Sequence, residues 1–385
     1  NIYKEKFFQA DFVDMLKLRA SYGIGGNIGR NTAPYLIASY YDSSLVDGMA
    51  GSVNTPPNKD IRWEKTTTVN VGVDFALFRH RLSGTIEYYN KYSVVLLAAI
   101  NGSPTQGFGY TTLMTNNGKM VNRGVEITLS GEIIRQKDFS WNASLLYAFN
   151  RNKVKHISVQ PSLWDSRISM PTSYPMVGKP LYGIYAYKWA GLNENGDPQV
   201  YDAENNVTSG PARDYHALVY CGTTVPIHNA SLTNVLRYKG FEFSAMLILD
   251  AGHKLRSSNI PSINMSNGRI TSTAKGIVDR WTQPGDVTDV PRLLFSNDTE
   301  NFNTHRTELY RYSDLFVYDA SNIRLSNISL AYRVPAHWCK KISLSGARLQ
   351  FNVENVATFA FDSKANYDLG GKVKPNYVWG LYLNF

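Results

Sequence analysis

The stretch Asn376-Tyr377-Val378-Trp379-Gly380-Leu381-Tyr382-Leu383-Asn384-Phe385 alternates in character from one residue to the next. Tyr377, Trp379, Leu381, Leu383 and Phe385 share one parity, and Asn376, Val378, Gly380, Tyr382 and Asn384 the other. Successive side chains of a strand point to opposite faces, so this reads as a strand with one greasy face and one mostly small or polar face. The same period returns upstream. Val69, Val71, Val73, Phe75 and Leu77 oppose Thr68, Asn70, Gly72, Asp74 and Ala76; Val125, Ile127, Leu129 and Ile133 oppose Glu126, Thr128, Ser130 and Glu132. Phe139, Trp141, Ala143, Leu145, Tyr147 and Phe149 share a face, as do Leu349, Phe351 and Val353. The chain holds about ten such segments, each of roughly 9 to 15 residues, the length a tilted strand needs to cross a bilayer. One breaks phase: Ile323 and Leu325 lie on one parity, Ile328, Leu330 and Tyr332 on the other. A β-bulge near Ser326-Asn327 restores the alternation, because one inserted residue flips the facing.

Connection lengths alternate too. Phe78 meets Leu82 across Arg79-His80-Arg81, Ile134 meets Phe139 across Arg135 to Asp138, Tyr238 meets Phe241 across Lys239-Gly240, and Arg333 meets Ile342 across Val334 to Lys341. Between these turns lie long polar excursions, about 26–62, 99–121, 151–227, 251–320 and 357–375. Short turns on one rim and long loops on the other are the pattern of an outer-membrane β-barrel. With the short turns periplasmic, chain parity brings Phe385 to the periplasmic rim, Cys221 outside and Cys339 to a periplasmic turn. A soluble β-sandwich also alternates, but it does not require the loop asymmetry.

Only 18% of the 385 residues are charged and 13% are aromatic, against about 25% charged in ordinary soluble domains. The longest apolar run, Val94 to Ile100, is far shorter than the roughly 18 residues of a spanning helix. These figures suit a secreted β protein or a transmembrane barrel, and composition alone does not separate the two. Asn1 to Lys6 have no apolar export segment and are not expected to be a precursor start. Leaving the edge of the segment Leu16 to Tyr22 unpaired is not tolerated in lipid. A further N-terminal part or a second chain is therefore expected to complete the wall.

No enzyme pattern is present: no Gly-x-Ser-x-Gly, no His-Glu-x-x-His and no phosphate-binding glycine loop. Gly23-Ile24-Gly25-Gly26-Asn27 is expected to be a strand-to-loop exit. The seven His and two Cys lack ligand spacing, so no metal and no cofactor is expected. Asp286, Asp289, Asp298, Glu300, Asp314 and Asp319 do not follow the calcium-loop pattern and read as loop acids. The net charge of +9 comes from Lys and Arg scattered along the sequence. With no basic run, contact with an anionic lipid surface is favoured over nucleic acid.

Several ordered blocks add a family resemblance: Pro57-Asn58-Lys59-Asp60-Ile61-Arg62-Trp63-Glu64-Lys65-Thr66 with Asn70-Val71-Gly72-Val73-Asp74-Phe75; Glu87-Tyr88-Tyr89-Asn90-Lys91; Asn117 to Glu126; Asp279-Arg280-Trp281-Thr282; and Asp319 to Leu330. From about Leu16 onward the chain resembles the SusC/RagA family of TonB-dependent transporters. The resemblance implies that residues 1–385 are the C-terminal portion of an antiparallel transmembrane β-barrel, about the last ten strands of a roughly 22-stranded plugged barrel, with plug and first strands outside this chain. It implies outer-membrane import of an oligosaccharide or peptide in a Gram-negative bacterium, a SusD-like surface lipoprotein as partner, TonB as energy source, and contact with outer-membrane lipid or lipopolysaccharide. No covalent chemistry on the cargo is implied. The segment Asn355 to Lys364 is looser than the family's usual pattern there, which bears on specificity more than on class.

Loop aromatics Trp164, Tyr174, Tyr185, Trp189 and Trp281 are the candidate cargo contacts, with Tyr182 and Tyr187 beside them. Phe385, Leu383 and Trp379 are the candidate membrane-assembly signal. Two rival readings stand: a TonB-dependent siderophore or cobalamin receptor, and a passive porin or surface adhesin.

Overall fold

A computed structural model describes residues 2–5, 8, 10–29, 34–43, 48–55, 57–101, 105, 112–159, 165–210, 214–261, 263–266, 269–293, 306–341, 343–369 and 374–385. Ten strands form one sheet: β1 (Val13–Asn27), β2 (Glu64–Leu77), β3 (Leu82–Asn101), β4 (Thr112–Arg135), β5 (Phe139–Ile157), β6 (His228–Tyr238), β7 (Phe241–Ala251), β8 (Asn322–Arg333), β9 (Gly346–Ala360) and β10 (Asn376–Asn384). Each wall strand pairs antiparallel with the next, so spatial order follows chain order from β1 to β10. This is the meander of a barrel wall.

Register turns sequence parity into two chemically distinct faces. Val73, Ile86, Ile127, Tyr147, Ala230, Leu249, Ile323 and Phe359 lie side by side across β2 to β9. One residue along, Gly72, Glu87, Glu126, Ala148, Asn229, Asp250 and Asn322 form the corresponding row of the opposite face. An apolar outer band and a polar lumen are what lipid on one side and water on the other demand. One polar intruder on the apolar face is satisfied locally: Asn234 Oδ1 accepts from Trp141 Nε1 at 3.1 Å.

The expected bulge is present. The ladder of β8 slips between Leu325 and Asn327 against β7, leaving Ser326 as the extra residue there, and at the same place against β9, where Asn355 and Val356 face the single Ser326. Opposite it, Asn355 adopts φ 54°, a left-handed conformation that Asn tolerates better than most residues.

Three expected boundaries are corrected. The excursion placed at 99–121 is largely ladder, since Leu97 to Asn101 pair with Thr112 to Asn116. Slips between Ser93 and Leu96 and between Leu96 and Leu97 break the period there and disguise the strand. Gly23 to Asn27 remain in β1, paired with Glu64 to Thr68, and are not a loop exit. The last short connection holds a helix, Ala336–Lys340, and β9 starts at Gly346 rather than at Ile342, which lies outside the described residues.

β3, β4 and β5 have 20, 24 and 19 residues, about twice what a crossing needs. They therefore project beyond the membrane band on the long-loop side. There the edge of β5, which outruns β6, is covered by its own loop: Val154 N donates to Lys179 O at 2.9 Å and Gly178 N to Val154 O at 2.8 Å. Covering the edge removes a row of unpaired backbone groups.

Candidate functional site

Two layers meet at the long-loop end: the polar face of the wall, and a folded body built from the excursions after β5 and β7. On the wall, Arg19 donates from Nε and Nη2 to the two oxygens of Asp74, both at 2.8 Å, and also to Glu87. Thr85 Oγ1 adds a bond to Asp74 at 3.1 Å. This bidentate fork ties β1, β2 and β3 together inside the lumen, toward the short-turn end of the strands. Further round, Glu126, Thr128, Ala148, Asn229, Ser231 and Asp250 help line a recess of about 330 Å³.

The loop body has a water-excluded core of Tyr185, Tyr187, Val200, Ala217, Leu218 and Leu309. The strand Gly183–Tyr187 pairs with Leu218–Thr223, while Trp189–Leu192, Pro198–Tyr201 and Val207–Thr208 form a three-stranded sheet. The helix Arg306–Arg311, from the other excursion, supplies Leu309. Polar links join the two excursions as well. Arg306 Nε donates to Asp197 Oδ1 at 2.6 Å, Arg292 Nε to the same oxygen at 3.3 Å, and Arg256 Nη2 to Tyr185 O at 2.7 Å. Gly196, at φ +73°, packs against the Trp281 ring so closely that a Cβ would overlap it. Burial pushes the Tyr187 and Tyr310 hydroxyls well above the ordinary phenol range, and lifts the Cys221 thiol to about 11. Cys221 and Cys339 are both free; the first lies in the loop body, the second in the helix at the short-turn rim.

The candidate aromatics divide accordingly. Tyr185 is 1% exposed, its hydroxyl accepting from Met176 N at 3.1 Å; its ring packs the core and offers a ligand almost no surface. Tyr187 is equally enclosed. Tyr174, Trp189 and Trp281 are half-buried. Trp189 is fixed by its Nε1 donating to Asp289 Oδ1 at 3.0 Å and by its backbone N donating to Asp314 Oδ1 at 2.9 Å. Trp164 lies outside the described residues, as do Asp298 and Glu300. Asp286 accepts from Thr282 and Gln283 in its own turn, and Asp319 from Ser321 and from Lys254 of the paired strand. Phe385 is 92% exposed at the short-turn rim, where its carbonyl accepts from Ser345 Oγ at 3.3 Å. Trp379 and Leu383 are exposed on the greasy face of β10.

Sequence reading missed a cavity of about 380 Å³ between the projecting wall and the segment 172–181. Leu96, Met114, Met120, Val154, Pro175 and Leu181 supply much of its lining. The signal was the broken alternation around Val95, whose φ is 60°.

The family profile described as "TonB dependent receptor-like, beta-barrel" matches residues 3–356. The chain belongs to the TonB-dependent receptor-like β-barrel family. It is 26% identical to TonB-dependent receptor P3 of Formosa agariphila, over 99% of this chain and 39% of that protein. It is also 26% identical to TonB-dependent receptor SusC of Bacteroides thetaiotaomicron, over 91% of this chain and 35% of that protein. Among solved structures, the RagAB peptide transporter covers the whole chain with TM-score 0.77 at 23% identity, and the chain covers 42% of it. The chain thus spans about two fifths of the length of these relatives, and its fold is that of a SusC/RagA-type barrel wall.

Proposed function

We propose that this chain forms the C-terminal wall and outer loops of an outer-membrane transporter that imports an oligosaccharide or peptide, working with a SusD-like lipoprotein and with TonB. The observation that carries the reading is the pairing of a polar inner wall with a folded, buried-core loop body at one end of it. Ser, Thr, Asn and charged residues wet the lumen. At its mouth, a segment of the excursion after β5 leans on the inner-face residues Met120 and Val154. The likeness to SusC and to RagAB supports import as the activity. The remaining strands and a plug belong, in this reading, to sequence outside residues 1–385. The half-buried rings of Tyr174, Trp189 and Trp281 are the proposed cargo contacts, since a partly exposed aromatic can stack on a sugar or a peptide side chain.

The test is isolation of the intact transporter from detergent-solubilised outer membrane, with mass spectrometry of everything that accompanies it. A stoichiometric surface lipoprotein and a plug-bearing segment are expected. A plug without a lipoprotein would favour the siderophore or cobalamin receptor, and a wall with neither would favour a passive pore.

A further inference from the structure

The net charge of +9 is scattered in the sequence but gathered in space. The four short turns occupy residues 78–81, 136–138, 239–240 and 334–345, and hold six Lys or Arg against one acid, Asp138; Arg135, Arg237 and Arg333 stand at the adjoining strand ends. The long connections 28–63, 158–227, 252–321 and 361–375 together hold 18 Lys or Arg against 19 acids. The short turns therefore account for more than half of the excess of +9.

Backbone bonds stitch this rim into one belt. Phe78 N donates to Phe12 O at 2.8 Å, Glu132 N to Arg81 O at 2.8 Å, Lys239 N to Asp138 O at 2.9 Å, Arg333 N to Gly240 O at 2.8 Å, and Ser345 N to Asn384 O at 2.8 Å. Each turn is thereby held against its neighbour, and its cations stand at fixed places. Arg135 and Arg237 pair with Glu132 and Glu242. Among the described residues no acid pairs with Arg79, Lys137, Lys239, Arg333, Lys340 or Lys341, and all six are exposed. Exposed aromatics lie between them: Phe12, Phe78, Tyr238, Phe241, Trp338 and Phe385.

We infer that the short-turn rim is a binding belt for the phosphate headgroups of anionic phospholipid. Rings of this kind seat at the headgroup level of a bilayer, and Lys and Arg beside them reach lipid phosphates while their stems stay on apolar surface. The belt is continuous with the apolar outer face of the wall, so the lipid that covers that face presents its headgroups at this height. The inference rests on the proposed orientation, with short turns periplasmic and the phospholipid leaflet beside them.

The test uses the intact detergent-purified transporter with phosphatidylglycerol or phosphatidylcholine as probes, bound lipid being counted by native mass spectrometry. A preference for phosphatidylglycerol of about tenfold or more is expected, given the strength of attraction per surface cation, and it should fall in about 1 M salt. Combining Arg79→Gln, Lys137→Gln, Lys239→Gln, Lys340→Gln and Lys341→Gln should erase it while the heat-modifiable barrel persists. If that variant fails to assemble, Lys137→Gln with Lys239→Gln should still lower it severalfold. Equal binding of the two lipids, or a preference undiminished in the variants, overturns the proposal. So does a charge-dependent acidic protein partner found without any lipid preference. Orientation is read separately, with Lys239→Cys in a Cys221→Ser background and a membrane-impermeant maleimide. Labelling of whole cells overturns the orientation, and with it both readings; labelling only after lysis, with no lipid preference, overturns the belt alone.

Discussion

The wall and the loop body are made by one chain for two solvents. In the loop body the large side chains Tyr185, Tyr187, Val200 and Leu309 are almost completely enclosed, as in any water-soluble core. In the wall the order is reversed: Leu18 is 58% exposed and Trp379 79%, because lipid and not protein covers them. Among the described residues the wall has no second layer. Its strands are held by ladder bonds and by cross-strand pairs such as Arg19 with Asp74, and its apolar residues are satisfied only in a bilayer. The contrast teaches that exposure is no measure of misplacement until the solvent on each face is known.

If the two regions are independent, damage to one should spare the other. Tyr187→Ala removes a wholly buried ring and should destabilise the loop body by ~3–5 kcal/mol. Proteolysis of the purified intact protein should then cut within 158–227, while the barrel keeps its heat-modifiable mobility; simultaneous loss of that mobility would break the comparison. Val71→Arg places a charge on the lipid face and should cost about 2–4 kcal/mol near the bilayer midplane. Asn70→Arg, one residue away on the lumen face, should cost much less, and unfolding titrations in lipid would compare them. Deleting Phe385 should cut the yield of assembled barrel severalfold and leave cargo affinity of the assembled fraction unchanged. An unchanged yield by heat-modifiability would remove Phe385, with Trp379 and Leu383, from the proposed assembly signal.

The smallest expected effect is a local response to pH. Desolvation pushes the Asp319 carboxyl up, but bonds from Ser321 and Lys254 outweigh it and hold its pKa at about 2. A depressed carboxylate contributes stability that is present above its unfolded value, about 3.9, and is lost as pH falls through about 2. The pairing of Lys254–Arg256 with Val317–Asp319 should loosen between about pH 4 and 2, and Asp319→Asn should abolish that response. Hydrogen exchange at Leu255 and Tyr318 would show it. The side chain is 39% exposed, so solvent screening keeps the effect small.

Much of the wall was legible because a strand's period of two survives in the sequence wherever one face meets lipid. That period located the parity of Val69 to Leu77, the turn Lys239-Gly240 and the bulge at Ser326. It failed around Leu96 and Gly118, where bulges scramble the faces, and so concealed both the length of β3 and β4 and the cavity beside them. The loop body was not legible as a body at all. Tyr185 and Trp189 look alike in sequence, two aromatics among polar residues, and only packing made one a core residue and left the other partly open.

Sequence alone determined the antiparallel meander, its greasy and polar faces and the alternation of short and long connections, because these follow from local geometry and from which solvent each face meets. Tertiary structure decided what depends on distant partners. It joined two excursions through Asp197 and Arg306, enclosed Tyr187, and brought four separate turns into one basic rim. Contacts of that kind are set by strand register and loop packing, which place residues about a hundred positions apart side by side, and no local pattern records them.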